Sequence, residues 1–264
     1  MRTTRTHHND LIRQEFSKQA EAYAATASIS DAERIARLVQ VMNPSPDDRV
    51  LEVATGPGYI AIALGSVCEE VVGVDITTAV LQIAERTRHE RGVANVRFEV
   101  ADVNDLPFRD AEFDAVVCRF AFHHFLEPAH VLGEMVRVCR PHGAVVVEDL
   151  IVSEITARGA YQNEFERLRD PSHTEALPLS TLLRQFAASN LEIDCVLTGC
   201  LTPMVERWLA NAQVSHEAAA KARQMIEQDQ QRDLSGARPY RNEKDELCFV
   251  QRTAIVRGYK VGSR

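Results

Sequence analysis

The ten residues Val50-Leu-Glu-Val-Ala-Thr-Gly-Pro-Gly-Tyr59 constrain this chain more than any other stretch. A short apolar run with one acid inside it reads as a strand that enters a glycine-bearing turn directly. Gly56 and Gly58 lack a Cβ, so the backbone there turns tightly and comes close to a ligand. The apolar run resumes at Ile60-Ala-Ile-Ala-Leu64, which reads as the start of a helix. Strand, glycine turn and helix N-terminus in succession make the usual crevice for a nucleotide-like cofactor. Glu52 is the first residue that discriminates between cofactors.

The surrounding chain alternates between helical and extended patterns. Helices are expected over 10–24 and 31–42, with Ile12, Phe16, Ala20 and Tyr23 on one apolar face of the first. The loop Asn43-Pro-Ser-Pro-Asp-Asp48 ends this helical region. Strands follow at about 49–54, 70–74, 96–101, 113–118 and 143–149, with helices at 58–66, 78–91 and 128–139. Thr77 or Thr78 suits an N-cap, and Arg140-Pro-His-Gly143 suits a turn. Near-continuous Val/Ile/Leu strands alternating with helices predict a parallel sheet covered on both faces.

Beyond residue 150 the pattern predicts helices over 155–170 and 178–189 and a strand at Leu191–Cys200. A Gln- and Ala-rich helical stretch over 204–233 precedes a last strand at Leu247–Arg257. The last two strands suit an antiparallel pair. The expected fold is a doubly wound, Rossmann-like α/β sheet of seven strands, mostly parallel with a C-terminal antiparallel strand. Residues 1–45 are expected to form an N-terminal helical lid. Residues 46–264 form the main domain, with helical inserts at about 155–175 and 204–233, all in one structural unit.

Composition excludes several classes of function. A net charge of -8, with no Lys/Arg run, argues against nucleic acid as a partner. The six cysteines form no CxxC, which disfavours a disulfide framework or a zinc site and suits the reduced thiols of a cytoplasmic protein. There is no secretory h-region and no apolar run near the roughly 18 residues that span a bilayer. His7 and His8 are expected in a frayed tail, not a metal site. The oligomeric state is left open, and a homo-oligomer is compatible with the sequence.

Alone, Gly56-x-Gly58-x-x-Ala61 also satisfies a nicotinamide dinucleotide fingerprint, with Asp75 as the ribose acid. Three further features narrow the choice. Glu52 is an acid inside a strand that is normally wholly apolar in dehydrogenases. Val71-Val-Gly-Val-Asp75 ends the second strand in an acid, and Phe98-Glu-Val-Ala-Asp102 ends the third in another. Three acids at the carboxyl ends of consecutive strands suit a ligand with an amine, a ribose diol and an exocyclic amino group. S-adenosylmethionine carries all three.

These residues resemble class I S-adenosylmethionine-dependent methyltransferases, in the group similar to ubiquinone/menaquinone C-methyltransferases. Val50–Gly58 is similar to that group's first motif, with Ala54 where many relatives have glycine. Phe113-Asp-Ala-Val-Val-Cys-Arg-Phe-Ala-Phe-His-His-Phe125 is similar to its fourth-strand motif. Phe16-Ser-Lys-Gln-Ala-Glu-Ala-Tyr23 resembles the helix that closes over the cofactor, and Asn163–His173 a segment lining the acceptor pocket.

The resemblance implies that Ala54, Thr55, Gly56 and Gly58 bring backbone to the methionine part, with Glu52 near its ammonium. It implies Asp75 at the ribose, Ile76 against adenine, Asp102 on the adenine amino group with Ala101 and Val103 beside it, and Arg119 close to the sulfonium. Tyr23 would touch the cofactor from the closing helix. Alignment and exclusion of water carry most of a methyl transfer, and a general base helps weakly acidic acceptors. His124 is the first candidate for that base, followed by His123 and His173. Arg167 and Arg169 are expected to pair with Glu164 and Glu166. The reading is methyl transfer to a small-molecule acceptor through carbon, oxygen or nitrogen. The alternatives are an NAD(P)-dependent oxidoreductase and a non-catalytic S-adenosylmethionine-binding protein.

Overall fold

Val50, Leu51 and Val53 are fully buried, so the first strand is covered on both faces and belongs at the centre of a sheet. The computed structural model describes residues 2–262, which leaves residue 1 of the expected lid and residues 263–264 of the main domain outside the described residues. Seven long strands form the sheet: β1 (Arg49–Val53), β2 (Glu70–Asp75), β3 (Val96–Val100), β4 (Phe113–Arg119), β5 (Cys139–Val152), β6 (Leu191–Leu201) and β7 (Gln251–Lys260). Their order is β3-β2-β1-β4-β5-β7-β6, and β7 alone runs opposite to the other six. Val256 of β7 faces Val147 of β5 on one side and Val196 of β6 on the other. Leu177–Pro178 adds a short parallel pairing to β5.

The helices are α1 (Arg2–Ala24), α2 (Ala27–Ser30), α3 (Ala32–Met42), α4 (Tyr59–Leu64), α5 (Thr78–Glu90), α6 (Pro128–Val138), α7 (Thr156–Arg169), α8 (Leu179–Ala188), α9 (Val205–Asn211) and α10 (His216–Arg232). Asp31 starts α3 by accepting from the Arg34 N–H at 2.9 Å. Alternation along the strands divides the core between the two sheet faces. On one face Leu51, Val53, Val116 and Val147 pack with Leu132 and Met135 of α6 and Phe186 of α8. On the other, Val50, Val71, Val117 and Val146 pack with Leu38 and Met42 of α3 and Ile60 of α4. Each such side chain contributes about 1.5–3 kcal/mol on burial. A third, smaller core joins α7, α9 and α10 through Phe165, Trp208, Ile226 and Phe249.

Four local expectations are corrected. Helix α1 starts near the N-terminus and takes in His7 and His8, because His8 Nε2 donates to the His124 carbonyl at 2.7 Å and anchors that turn. Residues 140–143 form a bulge inside β5, with His142 at φ 63, since Cys139 pairs with Phe113 and Ala144 with Ala115. Residues 204–233 divide into α9 and α10, with Ser215 capping the second by accepting from Ala218 N–H. The last expected strand also divides: Leu247–Cys248 pairs with Tyr240–Arg241, and β7 begins at Gln251.

Candidate active site

The glycine turn leaves β1 through three left-handed residues, Ala54 at φ 55, Gly56 at φ 54 and Gly58 at φ 77. The two glycines serve different ends. A Cβ on Gly56 would meet nothing nearer than Tyr23 Cε1 at 3.6 Å, so that face is open to the crevice. A Cβ on Gly58 would strike Phe98 at 2.6 Å and Ala84 at 2.8 Å, and Gly58 lies outside the cavity walls. Close packing against Phe98 and Ala84 therefore requires glycine at this position. Ala101 is likewise packed into the core away from the cavity walls.

Glu52 is buried, and its Oε2 accepts from the Thr55 hydroxyl at 2.5 Å and the Ala61 N–H at 2.8 Å. Burial nevertheless pushes its carboxyl up to about 7. Asp75 accepts from the N–H groups of Gly56 at 2.9 Å and Thr77 at 2.8 Å, and burial raises its pKa as well. Asp102 accepts from Asn104 through both its N–H, at 2.9 Å, and its side-chain amide, at 2.8 Å. The Asn9 amide on α1 donates to the other oxygen of Asp102 at 2.8 Å.

Three cavities meet at this edge of the sheet. One of about 70 Å³ is walled by Ala54, Gly56, Asp75, Ile76, Asp102 and Val103, with Asn9 and Phe16 above. One of about 20 Å³ lies over Glu52, Thr55 and Arg119. A third of about 350 Å³ extends between α1, α7 and α9 and contains His123, His124 and His173. Tyr23 and Phe120 line all three. Phe120 is held at φ 51, a conformation costly for a bulky residue, while its N–H donates to the Glu148 carbonyl at 2.7 Å. Burial raises the pKa of the Tyr23 hydroxyl, which keeps it protonated.

Arg119 is held by three hydrogen bonds. Its Nε donates to Glu148 at 2.9 Å, and its two terminal nitrogens donate to the carbonyls of Ile29 and Ser28, each at 2.9 Å. It therefore clasps α2 to the sheet while still edging the smallest cavity.

The three histidines converge, with His123–His124 ring centroids 4.2 Å apart and His123–His173 5.3 Å apart. Their protonation differs sharply. Burial opposes the charged form of His123, but Asp149 Oδ1 at 2.5 Å from Nδ1 outweighs it and the pKa rises. Burial, then the neighbouring His123, pushes His124 down to about 4. Burial and both neighbours drive His173 well below the usual range. His124 Nδ1 donates toward Ser172 at 3.1 Å, and His173 Nε2 donates to Asn163 Oδ1 at 2.7 Å. His123 Nε2 has no partner among the described residues.

Arg167 and Arg169 do not pair with Glu164 and Glu166. Arg167 donates to the Thr174 carbonyl, Arg169 contacts Asp170 at 3.5 Å, Glu164 meets Lys221, and Glu166 accepts from Gln251. Sequence reasoning missed Asp149, Glu148 and Asn9. A signal existed for the first two: adjacent acids inside Val145-Val-Val-Glu-Asp-Leu-Ile151 require buried partners. Asn9 carries no such signal.

A doubly wound sheet whose carboxyl edge carries a left-handed turn, a buried strand acid and two loop acids defines a cofactor-binding enzyme of the class I methyltransferase type. Comparisons with known proteins agree. Residues 51–147 match the family described as a methyltransferase domain. Over 194 residues, 74% of this chain and 77% of the relative, it is 31% identical to the uncharacterized methyltransferase YcgJ of Bacillus subtilis. The crystal structure of YcgJ superposes with a TM-score of 0.81 over 88% of this chain and 99% of that one, at 26% identity. A demethylmenaquinone methyltransferase of Thermus thermophilus is 41% identical over 113 residues, 42% of this chain and about half (51%) of that protein. The chain belongs to the class I S-adenosylmethionine-dependent methyltransferases. It is an enzyme of methyl transfer to a small-molecule acceptor, and the matches favour this over the oxidoreductase and non-catalytic alternatives. Among the described residues no helix is long and apolar enough to cross a membrane.

Proposed function

We propose that S-adenosylmethionine lies across the carboxyl ends of β1, β2 and β3, and that the acceptor occupies the 350 Å³ cavity, where His123 takes its proton. The observation that carries this reading is the shared position of Tyr23 and Phe120 in the walls of all three cavities. A group presented from the two small cavities meets the large one at these two rings.

The residues present fit the cofactor. Gly56 offers an open backbone face, Asp75 has acceptor capacity for a diol, and Asp102 already accepts an amide N–H where an adenine amino group would donate. Glu52 is a carboxyl held near neutrality, which an approaching ammonium would ionise. The cofactor, when bound, supplies a methyl group on a positively charged sulfur. Everything else falls to the chain: α1 and α2 act as a lid that excludes water, and Tyr23 and Phe120 align the two ligands.

His123 is the general base in this reading, ahead of His124. His123 Nε2 would take the acceptor's proton as the acceptor receives the methyl group that S-adenosylmethionine would supply. Asp149 holds the ring by Nδ1 and stabilises its protonated form. His124, with a pKa near 4, is a weak base, and His173 is weaker by the same argument.

Calorimetric titration with S-adenosylmethionine, S-adenosylhomocysteine and NADH tests the cofactor assignment. Binding of the first two, and a loss of at least about tenfold in Asp75→Ala, are expected. Binding of NADH alone would overturn it.

A further inference from the structure

We infer that the acceptor carries an anionic oxygen group, a carboxylate or a phosphate, bound by Arg169 with help from Arg207 at the α7–α9 end of the large cavity. The inference rests on the acceptor assignment above and adds the chemical class of the acceptor.

The argument starts from unused donors. Arg169 ends α7 with a side chain only 19% exposed, yet its one ionic contact is a long 3.5 Å approach to Asp170. Its Nε is buried without a partner, and its guanidinium lies over the Trp208 ring at 5.7 Å. A guanidinium offers five N–H donors in a fork matched to carboxylate and phosphate oxygens. Leaving the buried Nε unpaired is costly unless a ligand completes it.

Asp170 and Glu166 are charged neighbours of Arg169, but neither fills its donor fork. Asp170 Oδ1 accepts from the Ser172 N–H at 2.9 Å and hydroxyl at 2.6 Å, and Glu166 accepts from Gln251 Nε2 at 2.7 Å. Arg207 of α9 lines the same cavity, is exposed, and has no ionic or hydrogen-bonding partner among the described residues. Two arginines on adjoining helices thus face one cavity with donors that its carboxylates, Asp31, Glu166 and Asp170, leave open. Trp208 lines the same cavity beside Arg169 and adds an apolar wall for the rest of the anionic acceptor.

The test uses the full chain saturated with S-adenosylhomocysteine, titrated by calorimetry with three acids and their uncharged counterparts. These pairs are benzoate and benzamide, cinnamate and cinnamamide, and phenyl phosphate and phenol. At least one acid is expected to bind about tenfold tighter than its counterpart, and the carboxylate and phosphate arms tell which oxyanion is preferred. Arg169→Gln should abolish the preference. Arg207→Gln should reduce it severalfold, with an effect that fades as salt rises. No acid preference in the S-adenosylhomocysteine-loaded protein, or a preference that survives Arg169→Gln, overturns the anion site alone. Failure to bind S-adenosylhomocysteine at all sinks the cofactor assignment instead, and the first titration separates the two cases.

Discussion

Asp149 grips His123 twice: Oδ1 lies 2.5 Å from the ring Nδ1, and Oδ2 accepts the backbone N–H of the same residue at 2.9 Å. The carboxylate fixes the tautomer and leaves Nε2 as the one ring nitrogen free to take a proton. The pair is buried, so its electrostatics are little screened.

Histidine Cε1 proton resonances followed against pH should therefore separate the three rings. His123 is expected to titrate above 6.5, His124 near 4, and His173 well below the usual range. Asp149→Asn should bring His123 back toward or below its ordinary value. Because the folded-state pKa is raised, stabilisation by this pair is fully present below the unfolded pKa. It is lost as pH rises through the folded value, and the variant should lack that alkaline decline. An unchanged His123 titration in the variant would remove the pairing argument.

Glu52 makes a second prediction. Its folded pKa of about 7 exceeds the ordinary 4.5, so its contribution to stability is complete below the lower value and fades as pH rises through the higher one. An ammonium brought against it favours the ionised form, so cofactor binding near pH 6 should release most of one proton. Calorimetry in two buffers of different ionisation enthalpy measures this. In Glu52→Gln the release should vanish; proton release equal to that of the wild type would show that Glu52 does not meet the ammonium.

The clasp between Arg119, Glu148 and the carbonyls of α2 predicts a large stability effect. Arg119→Ala leaves Glu148 buried without its partner, at a cost of roughly 3–5 kcal/mol. Urea denaturation should register that loss, and hydrogen exchange should accelerate in α2. A variant within about 1 kcal/mol of wild type would mean that α2 is held by its apolar contacts instead.

Ala54 sits at φ 55. Alanine there is disfavoured by about 1–2 kcal/mol, and glycine costs about 0.5–1 kcal/mol through the unfolded chain. Ala54→Gly should therefore raise stability by up to about 1.5 kcal/mol. A lower urea midpoint would show that the alanine methyl contributes more packing than its backbone conformation costs.

Much of this was legible in local pattern. Apolar strands around Gly56 and Gly58 defined the crevice, and the acids at 52, 75 and 102 marked its walls. The fourth-strand motif brought His123 and His124 to attention, but not their order of merit. Adjacent histidines look alike in sequence, and only the carboxylate that reaches Nδ1 distinguishes them. The same limit applies to Gly58 and Ala101, whose contacts with Phe98 and the core depend on how β3 packs beside β1 and β2.

Residues close along the chain therefore determined the sheet, the glycine turn and the cofactor class, because hydrophobic period and turn chemistry act over a few positions. Tertiary structure alone decided which histidine is basic, that Asn9 meets Asp102, that Arg119 clasps the lid, and that Arg169 keeps unused donors. Those outcomes depend on burial and on partners up to 93 residues apart, as between Asn9 and Asp102. A proton affinity belongs to a side chain's surroundings, and the surroundings exist only once the chain has folded.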